Sequence, residues 1–337
     1  MLRSKLESYF KSRIPDLQDL QVNQFEEITD GWETEIYSFD IASGSGEEMN
    51  RDQLVLRMYS GPWGVYKARK EYNLLKRLQN AGYPVPEVFL IEEDSAHLGK
   101  PFILMQRIEG SCMWSLIETK DDASDLFQLF SRLFFNLHEL DWHQLAENPE
   151  GFRGLDSKKA VKQWIEKFDA RAKQIGSREI LRIVEWLKKE MDGITFAKLS
   201  ATHNDFHPNN ILIDESGAAY VIDWTAADIM DFRVDLAWTL ILTKIYVGDE
   251  LRDEVLRGYE KVSQQKVEDI GVFEVVGALR RLTDIVVTLD VDSEEIGLRD
   301  GAAEMIREQL PQNMTLLDII RNHTGLDLPE TRKLMTG

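Results

Sequence analysis

The chain has 337 residues, 43% of them hydrophobic and 29% charged, with one cysteine and a formal net charge of −19. That length suffices for a substantial core and two lobes, and the single thiol, Cys112, excludes an intrachain disulfide framework and fits a reducing compartment. The acidic balance excludes a nucleic-acid backbone as the main partner, since such binding rests on Lys and Arg neutralising phosphates; it would attract a cationic small molecule, although solubility alone explains it as well.

Residues 1–7 interrupt their apolar side chains with charge too often for a signal peptide. No run of about 18 apolar residues follows, so no membrane span is expected and residence is expected to be cytoplasmic. Leu2, Leu6, Tyr9 and Phe10 recur at helical spacing before the break at Pro15. Strand-like runs at 22–28 and 36–41 flank Asp30-Gly31-Trp32-Glu33-Thr34-Glu35, and a polar loop at 43–48 leads to a third strand at 53–58. A helix is predicted over 67–79, with Tyr72, Leu75 and Leu78 on one face, and further strands at 85–90 and 101–105. Beyond Gly110 the apolar spacing turns helical, as in Leu126, Phe130, Leu133, Phe134 and Leu137. No internal repeat or low-complexity tract interrupts the pattern.

The most informative stretch is His203-Asn204-Asp205-Phe206-His207-Pro208-Asn209-Asn210, followed by Ile211-Leu212-Ile213 and later by Val221-Ile222-Asp223-Trp224. Two β-prone runs, 211–213 and 219–222, are joined by Asp214-Glu215-Ser216-Gly217, which has the polar, glycine-containing chemistry of a hairpin turn. Asn210 and Asp223 then stand at matching open ends of a hairpin whose strands lie ~4.8 Å apart, where an amide oxygen and a carboxylate can share one hard cation such as Mg²⁺. Asp205, one loop upstream, is suited to accept a proton from a hydroxyl aimed at a metal-bound phosphate. Taken singly, each of the three is equally an ordinary turn or cap residue.

His203-x-Asp205-x-x-x-x-Asn210, with His207-Pro208 inside it and Ile222-Asp223-Trp224 after it, resembles the catalytic and metal motifs of the aminoglycoside phosphotransferase (choline kinase-like) superfamily, relatives of the protein kinases. The resemblance implies an α+β, bilobal protein kinase-like fold. Residues 1–108 would form a small antiparallel-sheet lobe that binds nucleotide, and 109–337 a larger, mostly helical lobe for catalysis and substrate. It implies transfer of the γ-phosphoryl of Mg·ATP to a hydroxyl of a small molecule, aminoglycoside-, choline- or sugar-like. Asp205 would be the catalytic base, Asn210 and Asp223 the magnesium ligands, and His203 a brace for the loop.

A kinase-like small lobe also implies a phosphate-covering turn, a cation with an acid to orient it, and an adenine-binding hinge. Gly31 and Thr34 answer to the turn, with Glu33 and Glu35 able to repel phosphate if they point inward. Arg57 stands where a lysine is common and can neutralise phosphate bidentately, with Glu71 as its partner; a surface arginine and an i,i+4 helical ion pair are the bland readings. Leu104-Met105-Gln106-Arg107-Ile108-Glu109-Gly110 resembles the hinge, where backbone groups of Gln106 to Ile108 would meet adenine.

In the larger lobe, His138 reads as a hydrogen-bonded core residue. Asp235, by resemblance, braces the catalytic loop or else caps the helix of 236–240, while Met230 and Phe232 replace a glycine and a proline of the family pattern. Asp228 reads as a solvated acid. Trp114, Trp164 and the acidic residues from Asp284 to Glu295 suit a cationic acceptor, yet as readily describe core and solvated faces. Two other classes compete: a nucleotide-binding pseudokinase or regulatory module, favoured by Arg57 and the glycine-poor turn, and a metal-dependent phosphoesterase, disfavoured by the sparse ligand set.

Overall fold

Alternation along one strand sets the architecture of the N-terminal half. In the computed structural model, residues 2–13, 20–28, 34–43, 50–290 and 302–336 are described, and they divide into two units. The first comprises the described part of Met1–Gly110 together with Leu212–Thr225. Its elements are α1 (Leu2–Arg13), β1 (Gln21–Ile28), β2 (Thr34–Ser43), β3 (Asn50–Tyr59), α2 (Gly64–Asn80), β4 (Val88–Glu92) and β5 (Phe102–Gln106). The five strands form one antiparallel sheet of order β1-β2-β3-β5-β4. Gly31 lies outside the described residues.

Leu54, Leu56 and Met58 of β3 face a core closed by Leu6 and Phe10 of α1 together with Phe39, Phe102 and Leu104. Each such side chain contributes about 2 kcal/mol by leaving water. Because strand side chains alternate, Arg57 and Tyr59 must point to the opposite face. They meet the one-sided helix α2, whose Ala68, Glu71, Leu75 and Leu78 are buried. Pairing in β4 starts at Val88, later than the apolar run suggests, because Pro84 and Pro86 have no N–H to give a ladder.

After the short strand β6 (Gly110–Cys112), the second unit comprises Ser111–Ile211 with 226–290 and 303–336. It is mostly helical: α3 (Met113–Thr119), α4 (Ser124–Glu139), α5 (Trp142–Leu145), α6 (Ser157–Gln174) and α7 (Arg178–Glu190) precede β7 (Leu199–Thr202). The chain then passes through a hairpin of β8 (Ile211–Asp214) and β9 (Ala219–Val221), which from Leu212 on is part of the first unit, and resumes the second with β10 (Asp228–Asp231), antiparallel to β7. The chain continues as α8 (Phe232–Tyr246), α9 (Asp249–Ser263), α10 (Ile270–Asp290), α11 (Ala302–Asn313), α12 (Thr315–Thr324) and α13 (Pro329–Thr336). Phe134 of α4 stacks on Phe206 at 4.2 Å and 5°, placing the middle of this unit's core directly beneath the 203–210 segment. Among the described residues no helix is long and apolar enough to cross a membrane.

The hairpin turn forms as its residues dictate. Asp214 Oδ1 accepts from the backbone N–H groups of Ser216 and Ala218, and Gly217 takes a positive φ of 85°. Val221 N–H donates to Pro84 O at 2.9 Å, and the buried Trp224 donates to Val221 O and meets Tyr83 edge-on. Gly110 runs against the hairpin so closely that a Cβ there would lie 2.2 Å from Ile213 O. Gly110→Ala must therefore displace backbone and is expected to lower stability by about 2 kcal/mol, read as a fall in the urea midpoint at unchanged m-value; an unshifted midpoint would mean that the contact is slack.

Candidate active site

Arg57, Glu71 and Asp223 come together in the first unit. Arg57 Nη2 donates to Asp223 Oδ1 at 2.6 Å, and Arg57 Nε lies 3.4 Å from Glu71 Oε2. Glu71 also accepts from the Tyr59 hydroxyl at 2.7 Å. Arg57 is 6% exposed and Glu71 1%, so this is a buried pair and the surface readings of both residues fall away. Burial alone would lower the Arg57 pKa, but the carboxylates of Asp223 and Glu71 outweigh it and hold the guanidinium above its ordinary value. Burial lifts the Glu71 carboxyl above its usual range, opposed by Arg57, the Tyr59 hydroxyl and the Trp224 backbone N–H. Tyr59, buried beside Glu71, is pushed well up and stays a neutral donor.

Asp223 follows the hairpin in a left-handed backbone conformation, φ 64°, which Asp adopts more readily than most residues. Its Oδ1 also accepts from Thr225 Oγ1 at 3.1 Å, and the side chain is 35% exposed. Thr34 is buried at the start of β2, and the neighbouring Glu35 is paired with Lys100, which removes the repulsion that an unpaired acid would offer to phosphate. At the end of β5, Gln106 N–H is bonded to Glu87 O at 2.7 Å and Arg107 N–H to Gln53 O at 3.2 Å. The N–H groups of Gln106 and Arg107, within the hinge expected from sequence, are thus occupied within the sheet.

Asp205 and Asn210 come together in the second unit. Asp205 Oδ1 accepts from Trp238 Nε1 at 2.9 Å, and Oδ2 lies 3.6 Å from His207 Nε2. Asn210 Nδ2 donates to Asp205 O at 3.0 Å and approaches Asp205 Oδ2 at 3.4 Å. With its nitrogen committed to the loop, the atom Asn210 can offer a cation is Oδ1. Burial would raise the Asp205 pKa, but His207, the Trp238 N–H and the charge of Arg280 reverse this and hold the carboxyl below the ordinary aspartate range. Asp205 is therefore an anion and an acceptor.

The loop itself is held from below. Asp235, fully buried in the first turn of α8, accepts from His203 N–H at 2.6 Å and Asn204 N–H at 2.7 Å. Its Oδ2 lies 3.2 Å from His138 Nε2, whose Nδ1 is 2.8 Å from the Tyr259 hydroxyl. The alternative role of Asp235 as a helix cap belongs instead to Asp231, which accepts from Arg233 N–H. The unusual Met230 and Phe232 leave that turn intact, Met230 pairing with Ser200 in the β7–β10 ladder and Phe232 stacking on Tyr259. His138 is a buried bonded residue and Asp228 an exposed acid, as their surroundings in sequence suggest.

Sequence reasoning missed Tyr59, Trp238 and Arg280. Two of them carried a signal: Tyr59 is two residues from Arg57, on the same strand face, and Trp238 is one helical turn from Asp235. Arg280 stands out only as a charge within the largely apolar α10. As for a metal, among the described residues no group of three His, Cys, Asp or Glu side chains forms a cage. Asn210 Oδ1 in the second unit and the Asp223 carboxylate in the first are each hard oxygen donors of the kind that Mg²⁺ takes.

A model of the phosphotransferase enzyme family matches residues 24–270. Acyl-CoA dehydrogenase family member 10 of Mus musculus is 24% identical over 232 residues, 65% of this chain and 20% of that protein, so the chain spans about a fifth of this relative's length. The ternary complex of a thermostable mutant of aminoglycoside phosphotransferase APH(4)-Ia with AMP-PNP and hygromycin B superposes with TM-score 0.61 at 18% identity, covering 90% of this chain and 98% of that one. The GDP complex of an aminoglycoside 2'-phosphotransferase-IIIa mutant gives TM-score 0.62 at 15% identity, covering 93% and 98%. The fold is the α+β, protein kinase-like fold of these neighbours, with its five-stranded antiparallel sheet toward the N-terminus and its helical part toward the C-terminus.

Removing the Arg57 guanidinium strands two carboxylates, one of them fully buried. Arg57→Met is expected to lower stability by about 3 kcal/mol, measured by chemical denaturation, with Arg57→Lys losing less because it keeps the charge. Equal stability of the Met variant and the parent would show that Glu71 finds another partner.

Proposed function

Since the chain belongs to the phosphotransferase enzyme family, we propose that this phosphotransferase moves the γ-phosphoryl group of Mg·ATP to a hydroxyl of a small molecule, in the cytoplasm. The observation that carries the reading is Asp205: an ionised carboxylate, bonded on one oxygen by Trp238, on a loop whose backbone N–H groups are gripped by a buried carboxylate. That is the preorganisation required of a group that orients a nucleophile, because geometry fixed before the reaction needs no rearrangement during it.

The acceptor hydroxyl gives its proton toward Asp205 as its oxygen bonds to the γ-phosphorus; the bond from that phosphorus to the bridging oxygen breaks, and ADP leaves with the electron pair. Asn210 Oδ1 and the Asp223 carboxylate are the proposed ligands of the magnesium ion, which would neutralise charge on the phosphates. Arg57, paired with the Glu71 carboxylate that the Tyr59 hydroxyl also bonds, is a bidentate donor to phosphate, and its bond to Asp223 keeps both groups in register. In this reading residues 1–108 bind nucleotide, with Gly31 and Thr34 at the phosphates and Gln106 to Ile108 at the adenine, and 109–337 supply catalysis and the acceptor site. The AMP-PNP and hygromycin B bound to the APH(4)-Ia neighbour support a nucleotide and a small-molecule acceptor, which in this reading is of aminoglycoside-, choline- or sugar-like type.

Asp205→Asn is expected to lower kcat by about 10²- to 10⁴-fold while the Kd for the ATP analogue changes little; a variant as active as the parent removes Asp205 from the reaction. Nucleotide binding with no transfer to any member of a hydroxyl-compound library would point instead to a regulatory module. Asp223→Asn and Asn210→Ala should each raise the magnesium concentration needed for half-maximal rate, followed by titration at fixed nucleotide; an unaltered requirement would clear that residue of metal binding.

A further inference from the structure

We propose that Arg280 is a positioning residue for the reaction, aiming Asp205 through two separate contacts. It rests on the phosphotransfer reading above and adds to it a residue that no sequence motif contains.

The first contact is to backbone. Arg280 Nη1 donates to Asn204 O at 2.6 Å, and that carbonyl belongs to the peptide unit joining Asn204 to Asp205. Asn204 has a φ of 60°, a left-handed conformation that Asn adopts more readily than most residues with a side chain. Asp235 holds the Asn204 N–H on one side, the Asn204 amide donates to Thr202 Oγ1 and Ala226 O, and Arg280 takes the carbonyl. Without that last bond the peptide plane that leads into Asp205 is less constrained, and with it the aim of the Asp205 side chain.

The second contact is to an aromatic ring. The Arg280 guanidinium lies over the Trp238 indole, 3.8 Å from its centroid, with Trp164 at 6.0 Å. A cation on the ring face both fixes the plane of the indole and makes its edge more positive. The Trp238 edge carries the Nε1–H that donates to Asp205 Oδ1. One guanidinium thus sets the backbone and the side-chain oxygen of the same aspartate.

Arg280→Met keeps an apolar chain on the indole and removes both contacts. It should lower kcat by about 10²-fold, the size expected when a reacting group is misplaced by an ångström, with the KM for ATP within about threefold and the melting temperature nearly unchanged. Arg280→Lys, which can reach Asn204 O but cannot stack as a plane, should recover part of the rate. The Trp238 indole N–H resonance, identified by its absence in Trp238→Phe, should shift in Arg280→Met. An unchanged kcat, or a loss matched by melting temperature and nucleotide KM, overturns the proposal. Should the parent protein transfer no phosphate, the functional reading fails, and an unmoved indole resonance would then refute the positioning role as well.

Discussion

A single buried carboxylate organises the 203–210 loop. Asp235 is withdrawn from water, and its carboxyl oxygens are satisfied because two consecutive backbone N–H groups, of His203 and Asn204, and the His138 imidazole converge on them. The same bonds force the chain into the left-handed turn at Asn204 that presents Asp205. Everything above this turn depends on it, from the Trp238 and Arg280 contacts to the Asn210 amide bonded to Asp205 O. Beneath it the stacked Phe134 and Phe206 make the base stiff, so small displacements of the loop would open a void in the core.

In the first unit the organising constraint is the two-residue period of β3. One face must be apolar to cover α1, which leaves Arg57 and Tyr59 for the face under α2, where an unpaired cation could not stay. Glu71 and Asp223 supply the countercharge, and the Tyr59 hydroxyl donates a further hydrogen bond to Glu71. The arrangement substitutes a planar, permanently charged guanidinium for an ammonium. A fork of donors tolerates two carboxylates at once, which a compact point charge with a readily depressed pKa does less well.

Much of this was legible in the sequence. The order of strands and helices, the hairpin turn at 214–217, the Arg57–Glu71 partnership and the bracing role of Asp235 follow from alternation, helical spacing, turn chemistry and motif resemblance. Boundaries slipped where backbone donors were lacking, as at Pro84 and Pro86 before β4. The contacts that Trp238 and Arg280 make were not legible, Trp238 showing only its helical spacing from Asp235, because a tryptophan or an arginine on a helix reads the same whether it faces solvent, core or a loop remote in sequence. Their roles are long-range contacts, between residues 33 and 76 positions apart.

What the sequence determined by itself was the order of the candidate groups: an aspartate, an asparagine and a second aspartate around a hairpin, within a chain of alternating and helical periods. Local spacing is enough for that, since strand pairing and turn geometry act over a few residues. The tertiary structure alone decided ionisation and aim. Whether Asp205 stays charged, which way its oxygens point, and whether Arg57 is a surface cation or a buried clamp depend on neighbours that only packing brings within hydrogen-bonding distance.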